Sequence, residues 1–288
     1  MYRLNNSTQW NFLSGDAADE AARAKEFARI RLRDAFSDLS FEPMTHTYTI
    51  AGQKVPSVSS LVAHFDPFDA TECARRVSKN NRHELFGKSV EDILAIWEIK
   101  GKEAASAGTV VHEFGEACFL CKENNAQDIE DGLRSRLSPD GTLEASSPKE
   151  ESLARWWDSL DLSRYVLIAK ETRIYNPELY YAGTFDVLLY DLWNHWYVLR
   201  DYKTNADLYR WFGDRLKAPL SPLKADDIGK YTVQQNSYKI QLENLGLHIG
   251  EMGLVWLRED GFEEVTLPDY GKLVSYAAKV FKQQRKIN

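Results

Sequence analysis

Residues 165–204, YVLIAKETRIYNPELYYAGTFDVLLYDLWNHWYVLRDYKT, read as three β-strands in succession. Tyr165 to Tyr175, Gly183 to Tyr190 and Trp196 to Tyr202 are dense in Val, Ile, Leu, Tyr and Trp, residues that suit a pleated, half-buried surface. Asn176-Pro177 and Asp191-Leu-Trp-Asn-His195 interrupt them with turn chemistry, so the pattern predicts an antiparallel meander. Downstream lie a polar connection with Pro219 and Pro222, a helix from about Ile228 to Leu245, a strand Met252 to Leu257, and a basic terminal helix from Tyr270 to Lys286.

Upstream, Glu150 to Ser159 reads as helix, and the polar stretch 124–149, with Ser138-Pro-Asp-Gly141, as a loop or variable insertion. Residues 71–123 look mainly helical, with breaks near Gly87 and Gly101 and a last helix from about Ala104 to Glu123. His46 to Pro56 forms two short strands around Ala51-Gly52, and Ser57 suits the N-cap of a helix through Val62. The Ala-rich stretch 16–39 lacks Gly and Pro and is helical. The order gives an α/β class: a helical N-terminal region with a hairpin over residues 1–95, then a core over 96–288 with a central mixed sheet flanked by helices.

With 288 residues, 43% hydrophobic and 12% aromatic, the chain can build a sizeable core, which excludes collagen-like, low-complexity and wholly disordered classes. No apolar run approaches the roughly 20 residues of a membrane span, and residues 1–15 lack a signal-peptide core. No membrane partner and a cytoplasmic setting are expected. Three cysteines fit a reducing compartment, and Cys118 with Cys121 has no second pair for a four-thiolate site, so both read as small buried residues one turn apart. Glu113 to Asp161 holds 12 acidic against 5 basic residues and so carries the whole net charge of −7, leaving the rest balanced. Basic residues cluster from Lys203 to Lys239 and in the terminal helix, where Lys279, Lys282, Arg285 and Lys286 either grip phosphates or form a solvated face.

In a strand, Asp201 and Lys203 share a face, and antiparallel pairing lets Asp186 approach Asp201. Two carboxylates brought together repel unless a cation lies between them, and a divalent metal resolves this. Phosphodiester hydrolysis wants that set: a metal polarises the phosphate while a lysine orients the nucleophile or stabilises developing charge. The bland alternative makes the aspartates strand-end residues and Lys203 a snorkelling chain. His112 and Glu116 lie one helical turn apart, Gly108 permits close approach of another element or a phosphate, and Gln234 and Tyr238 share a later helix face. Tyr209-Arg-Trp-Phe212 follows the Lys203 strand as core or as a base-stacking rim.

In order, then, the chain carries Gly108-x-x-x-His112-x-x-x-Glu116, Glu171, Gly183-x-x-Asp186, Asp201-x-Lys203-Thr204 and Gln234-x-x-x-Tyr238. This series resembles the RecB-like branch of the PD-(D/E)XK nuclease clan, over roughly half the chain. The hairpin region is more loosely similar to phage-type and mitochondrial exonucleases of that branch. The resemblance implies a restriction-endonuclease-like core in which His112, Asp186, Asp201 and the main-chain carbonyl of Tyr202 hold Mg²⁺ or Mn²⁺, with Lys203 as the catalytic lysine. Glu116 and Glu171 would orient ligands, a second metal or substrate. Gly108, Thr109, Thr204, Gln234 and Tyr238 would bind substrate or support the site.

The implied activity is a metal-dependent exonuclease on single- or double-stranded DNA ends, in recombination, repair or phage DNA processing within a bacterial or phage-infected cell. A structure-specific endonuclease of the clan, or a non-catalytic nucleic-acid-binding subunit keeping the fold, are the alternatives. Some members add four iron-sulfur cysteines, but no Cys follows Cys121, so no such cluster is expected. No Walker A pattern is present, so a helicase partner, like a single-strand annealing or binding protein, would be a separate chain.

Overall fold

The computed structural model describes residues 2–43 and 45–285, with Trp10 through its backbone alone. A short strand β1 (Arg3–Leu4) precedes α1 (Gly15–Ala35), whose buried stripe Ala21, Ala24, Ala28 and Leu32 has helical spacing. The helix ends four residues before the expected 39, because Leu39 begins β2 (Leu39–Glu42). That strand pairs with β3 (Thr47–Ile50), setting the Phe41 ring 4.7 Å from Tyr48, a cross-strand contact the helix would forfeit. Ala51 and Gly52, with φ of 48° and 78°, turn the chain into β4 (Gln53–Val55) as a two-residue hairpin requires.

Ser57 caps α2 (Val58–Phe65) by accepting from the Ser60 N–H, and Asp69 caps α3 (Ala70–Lys79). A break occurs around Gly87, which has φ of 78°, but not at Gly101: α4 runs unbroken over Val90–Glu123. One glycine costs a solvated helix only about 1 kcal/mol, too little to end so long a run. The boundary expected between residues 95 and 96 falls inside this helix. Near its start, Ile93 joins Ala74 and Leu85 in a small separate cluster that fixes α3 against α4.

Residues 124–149 are more ordered than a loop. They hold α5 (Asp131–Arg134) and β5 (Leu143–Glu144), which pairs with β1, and Arg136 clamps them to Glu150 at 2.5 Å. Pro148 sits at the start of α6 (Pro148–Ser159), where its missing N–H costs nothing.

The meander forms as β6 (Tyr165–Asn176), β7 (Tyr181–Asp191) and β8 (Trp196–Lys203), antiparallel throughout. The helix α7 (Asp227–Asn244) then crosses over so that β9 (Ile249–Leu257) lies parallel to β8, and β10 (Phe262–Thr266), absent from the sequence reading, closes the edge. β10 has no fully buried residue and carries three acidic or polar side chains in five positions, so it lacks an apolar signature. The last helix is α8 (Gly271–Gln284); Lys286 lies outside the described residues.

The sheet order β10-β9-β8-β7-β6 is covered on both faces, a mixed α/β architecture with eight α-helices among the described residues. Phe114, Cys118, Trp156 and Trp157 of α4 and α6 pack on Val198 and Tyr202. Val58, Phe65, Val233, Ala277 and other side chains of α1, α2, α7 and α8 cover the opposite face over Leu188 and Leu199. Among the described residues no helix is long and apolar enough to cross a membrane.

Candidate metal centre

The polar cluster forms where β7 and β8 part. Their pairing ends at Val187 with Arg200, so Asp186 and Asp201 lie just beyond the last bonded pair. Asp186 Oδ2 instead accepts the Tyr202 N–H at 2.6 Å, which fixes its carboxylate at the mouth of the gap. From α4, His112 Nδ1 comes within 3.5 Å of that same oxygen and 3.4 Å of Glu171 Oε1 on β6. One ligand atom from each of His112, Glu171 and Asp186 lies within 4.8 Å of the others.

Glu171 reaches this place through an unusual backbone. Neighbours on a regular strand face opposite ways, yet Lys170 pairs with Glu116 and Glu171 meets His112, both on α4. Glu171 has φ of 37°, and the register of β6 slips between Leu167 and Ala169. Bulges and left-handed non-glycine residues cost energy and re-aim side chains, and here the strand turns two successive side chains toward one helix.

The electrostatics follow from burial of several charges in one space. Burial pushes the Glu171 carboxyl up to about 7, with Asp186 adding to the rise and His112 only partly opposing it. Asp201 rises to about 6 through burial and the nearby Asp186, despite Lys203. Burial would also raise Asp186, but His112, Lys203 and the Tyr202 N–H hold it below the ordinary carboxylate range. Burial opposes charge on His112 and Lys203, and their carboxylate neighbours outweigh it, so both are held above their usual values. The cluster thus holds more acid than its partly buried setting tolerates, the condition a divalent cation relieves.

Asp201 stands apart from the three. Its carboxylate pairs with Lys203 on the same strand face, as the alternation requires. Tyr202, whose carbonyl the resemblance offers to the metal, meets Asp186 through its N–H. Glu116 does not join the cluster: Lys170 takes its carboxylate, and it lines a separate cavity with Glu113 and Glu130. Thr109 turns back to donate to the Ala105 carbonyl of its own helix at 3.1 Å. A Cβ on Gly108 would meet only Thr204 Oγ1 at 3.6 Å, an ordinary contact, so no protein element demands glycine there.

Support comes from α7. Gln234 Nε2 donates to the Tyr238 hydroxyl at 3.1 Å, and the Tyr238 ring fills the space a Cβ on Gly183 would take, at 2.6 Å. Gly115 is similarly forced, because its Cβ would meet Tyr202 Cε2 at 2.6 Å. Two further residues escaped the sequence reading. Tyr231 places its ring 4.3 Å from Lys203 Nζ, and its hydroxyl donates to Asn205 Oδ1 at 2.9 Å. The signal was available for Tyr231, which lies three and seven residues before Gln234 and Tyr238 on one helix face. In the terminal helix, Lys282 donates to the Glu178 carbonyl rather than standing free.

No protein-family model matches the chain, and no curated protein does. The solved structure of an Eubacterium rectale protein described as a "Putative exonuclease" is similar over 59% of this chain, at 15% identity and a TM-score of 0.38. The match spans 64% of that protein, just under two thirds, and is too weak to assign a fold.

Proposed function

We propose that this protein is a divalent-metal-dependent deoxyribonuclease with a restriction-endonuclease-like core, acting as an exonuclease on DNA ends. The observation that supports it is the convergence of His112, Glu171 and Asp186 beside the Asp201–Lys203 pair. Their donors, one imidazole nitrogen and carboxylate oxygens, suit Mn²⁺ or Mg²⁺. The excess of buried carboxylate, with Glu171 pushed to about 7, fits a cation placed among them.

His112, Glu171 and Asp186 would hold the ion, with Asp201 adjoining. When bound, it supplies Lewis acidity and charge neutralisation at a scissile phosphate. The chain's own residues do the rest. Asp201 keeps Lys203 cationic, so its ammonium can donate to a phosphate oxygen or to the attacking water as negative charge develops. The Tyr202 N–H stops the Asp186 carboxylate swinging out of the gap. Tyr238, wedged on Gly183, holds β7 at the height where Asp186 enters.

The test is digestion of end-labelled linear DNA and closed circular DNA with Mg²⁺ or Mn²⁺. Linear DNA should be degraded from its ends and circles spared, and Lys203→Ala should abolish cleavage while the chain stays folded, as circular dichroism verifies. Cleavage by Lys203→Ala at the wild-type rate would overturn the assignment, and cutting of circles would replace exonuclease with endonuclease.

A further inference from the structure

A cavity of about 540 Å³ lies between α3, the turn at Asp66 to Phe68 and the segment 210–230, within the roughly 300–1,000 Å³ of small-ligand sites. Two phenylalanine rings stand at it in water: Phe212 is 78% exposed and Phe68 61%. They belong to segments far apart in sequence, and each leaves apolar surface hydrated that a stacked partner would cover. The neighbouring Tyr209 and Trp211 differ, since both spend their polar tips on protein: Tyr209 on Glu263, Trp211 on the Asp214 carbonyl.

The charges at the cavity are unevenly committed. Asp66 is neutralised by Lys230 at 2.6 Å, Asp226 caps α7 through the Gly229 N–H, and Asp227 accepts from Asn205 Nδ2 at 2.6 Å. The guanidinium groups of Arg76 and Arg210 have no ion-pair partner among the described residues; Arg210 merely lies over the Phe212 ring, 5.1 Å from its centre. What the cavity leaves available is therefore two exposed rings, Phe212 with Arg210 over one of its faces, two guanidiniums without a carboxylate partner, and the carboxylate of Asp214. That inventory suits a nucleotide: rings stack on a base, guanidiniums bind its phosphate, and an acceptor meets a base N–H, such as thymine N3–H.

The position connects it to the metal centre. The Asp227 wall holds Asn205, which also receives the Tyr231 hydroxyl, and Tyr231 lies against Lys203. The geometry points to this cavity as a subsite for an unpaired nucleotide of the bound strand, its base on Phe68 and Phe212 and its phosphate on Arg76 and Arg210. It rests on the nuclease reading and adds a substrate class: DNA with a single-stranded end.

The probe is fluorescein-labelled oligo(dT) titrated by anisotropy in EDTA, where cleavage cannot intervene, with blunt duplex as control. Wild type should bind the oligonucleotide more tightly than the duplex. Phe68→Ala with Phe212→Ala should weaken oligo(dT) about tenfold, since stacking contributes on that order per base, and leave duplex binding unchanged. Arg76→Gln with Arg210→Gln should flatten the slope of log affinity against log salt by about 1.4, two single-strand phosphate contacts at about 0.7 each. All four side chains are exposed, so folding should survive, which melting verifies.

Equal oligo(dT) affinity in wild type and the phenylalanine variant overturns the subsite, as does an unchanged salt slope. Competition by free dTMP at the oligonucleotide's own affinity would reassign it to free nucleotides. The two readings separate cleanly. Unchanged oligonucleotide binding in variants of a protein that digests linear DNA rejects the subsite alone, whereas weakened binding in a protein that cleaves nothing with any ion rejects the nuclease alone.

Discussion

Lys203 Nζ lies 4.3 Å from the centre of the Tyr231 ring while pairing with Asp201, so one ammonium is held between an aromatic face and a carboxylate. The ring attracts the cation without neutralising it, which fixes the lysine yet leaves it free to donate. Tyr231 is thus a positioning residue for the proposed reaction. Tyr231→Leu should lower kcat about 3- to 30-fold with KM little changed, the range expected for a lost cation–π contact. Tyr231→Phe keeps the ring and should stay near wild type; equal loss in both variants would instead implicate the hydroxyl and Asn205.

Metal affinity should report which carboxylates form the centre. Calorimetric titration with Mn²⁺ should give one binding event that Asp186→Asn and Glu171→Gln each weaken at least tenfold, because each replaces an anionic ligand of the cluster with a neutral amide. Glu116→Gln should bind as wild type, since Lys170 already occupies that side chain. A loss in Glu116→Gln equal to that in Glu171→Gln would mean the helix face, not the strand, supplies the second carboxylate.

Three glycines near the site should separate by steric need. Alanine at Gly183 or Gly115 places a Cβ 2.6 Å from a buried tyrosine ring, Tyr238 or Tyr202, and should destabilise the fold by about 1–3 kcal/mol in urea melts. Gly108→Ala meets only a 3.6 Å contact and should raise stability by up to about 1 kcal/mol through helix propensity. If Gly108→Ala nonetheless loses activity while remaining stable, the close approach there is to substrate.

The meander and the positions of Asp186, Asp201 and Lys203 were legible because strand alternation is local: a period of two fixes which side chains share a face. His112 was legible by helical spacing for the same reason. What the sequence left open depends on partners far along the chain. Helical spacing puts Glu116 on the face of His112, but cannot show that Lys170, 54 residues later, captures it. Alternation would turn Glu171 away from Lys170's side, and only the left-handed backbone at Glu171 brings both to α4. The unbroken α4 reflects tertiary support near its ends, which overrode a single glycine's propensity.

The turn that brings β8 back along β7 depends on one buried carboxylate, and its titration should govern acid stability. Asp191 is fully buried, and Arg164 grips it with two bonds, at 2.6 and 3.1 Å. It also accepts from the Trp193 N–H and the Asn194 side chain. Burial alone would raise its carboxyl, yet these donors outweigh that and lower it to about 2. A folded value below the unfolded one, near 3.9, means stability that is complete above about pH 4 and lost as pH falls through 2. The linkage is worth about 2–3 kcal/mol at neutral pH. Asp191→Asn should therefore be less stable than wild type by about that amount at pH 7, measured by urea unfolding. The gap should close between pH 4 and pH 2 as wild type loses the same interaction. A gap that stays constant over that interval would show that shape and hydrogen bonding, not charge, hold the turn.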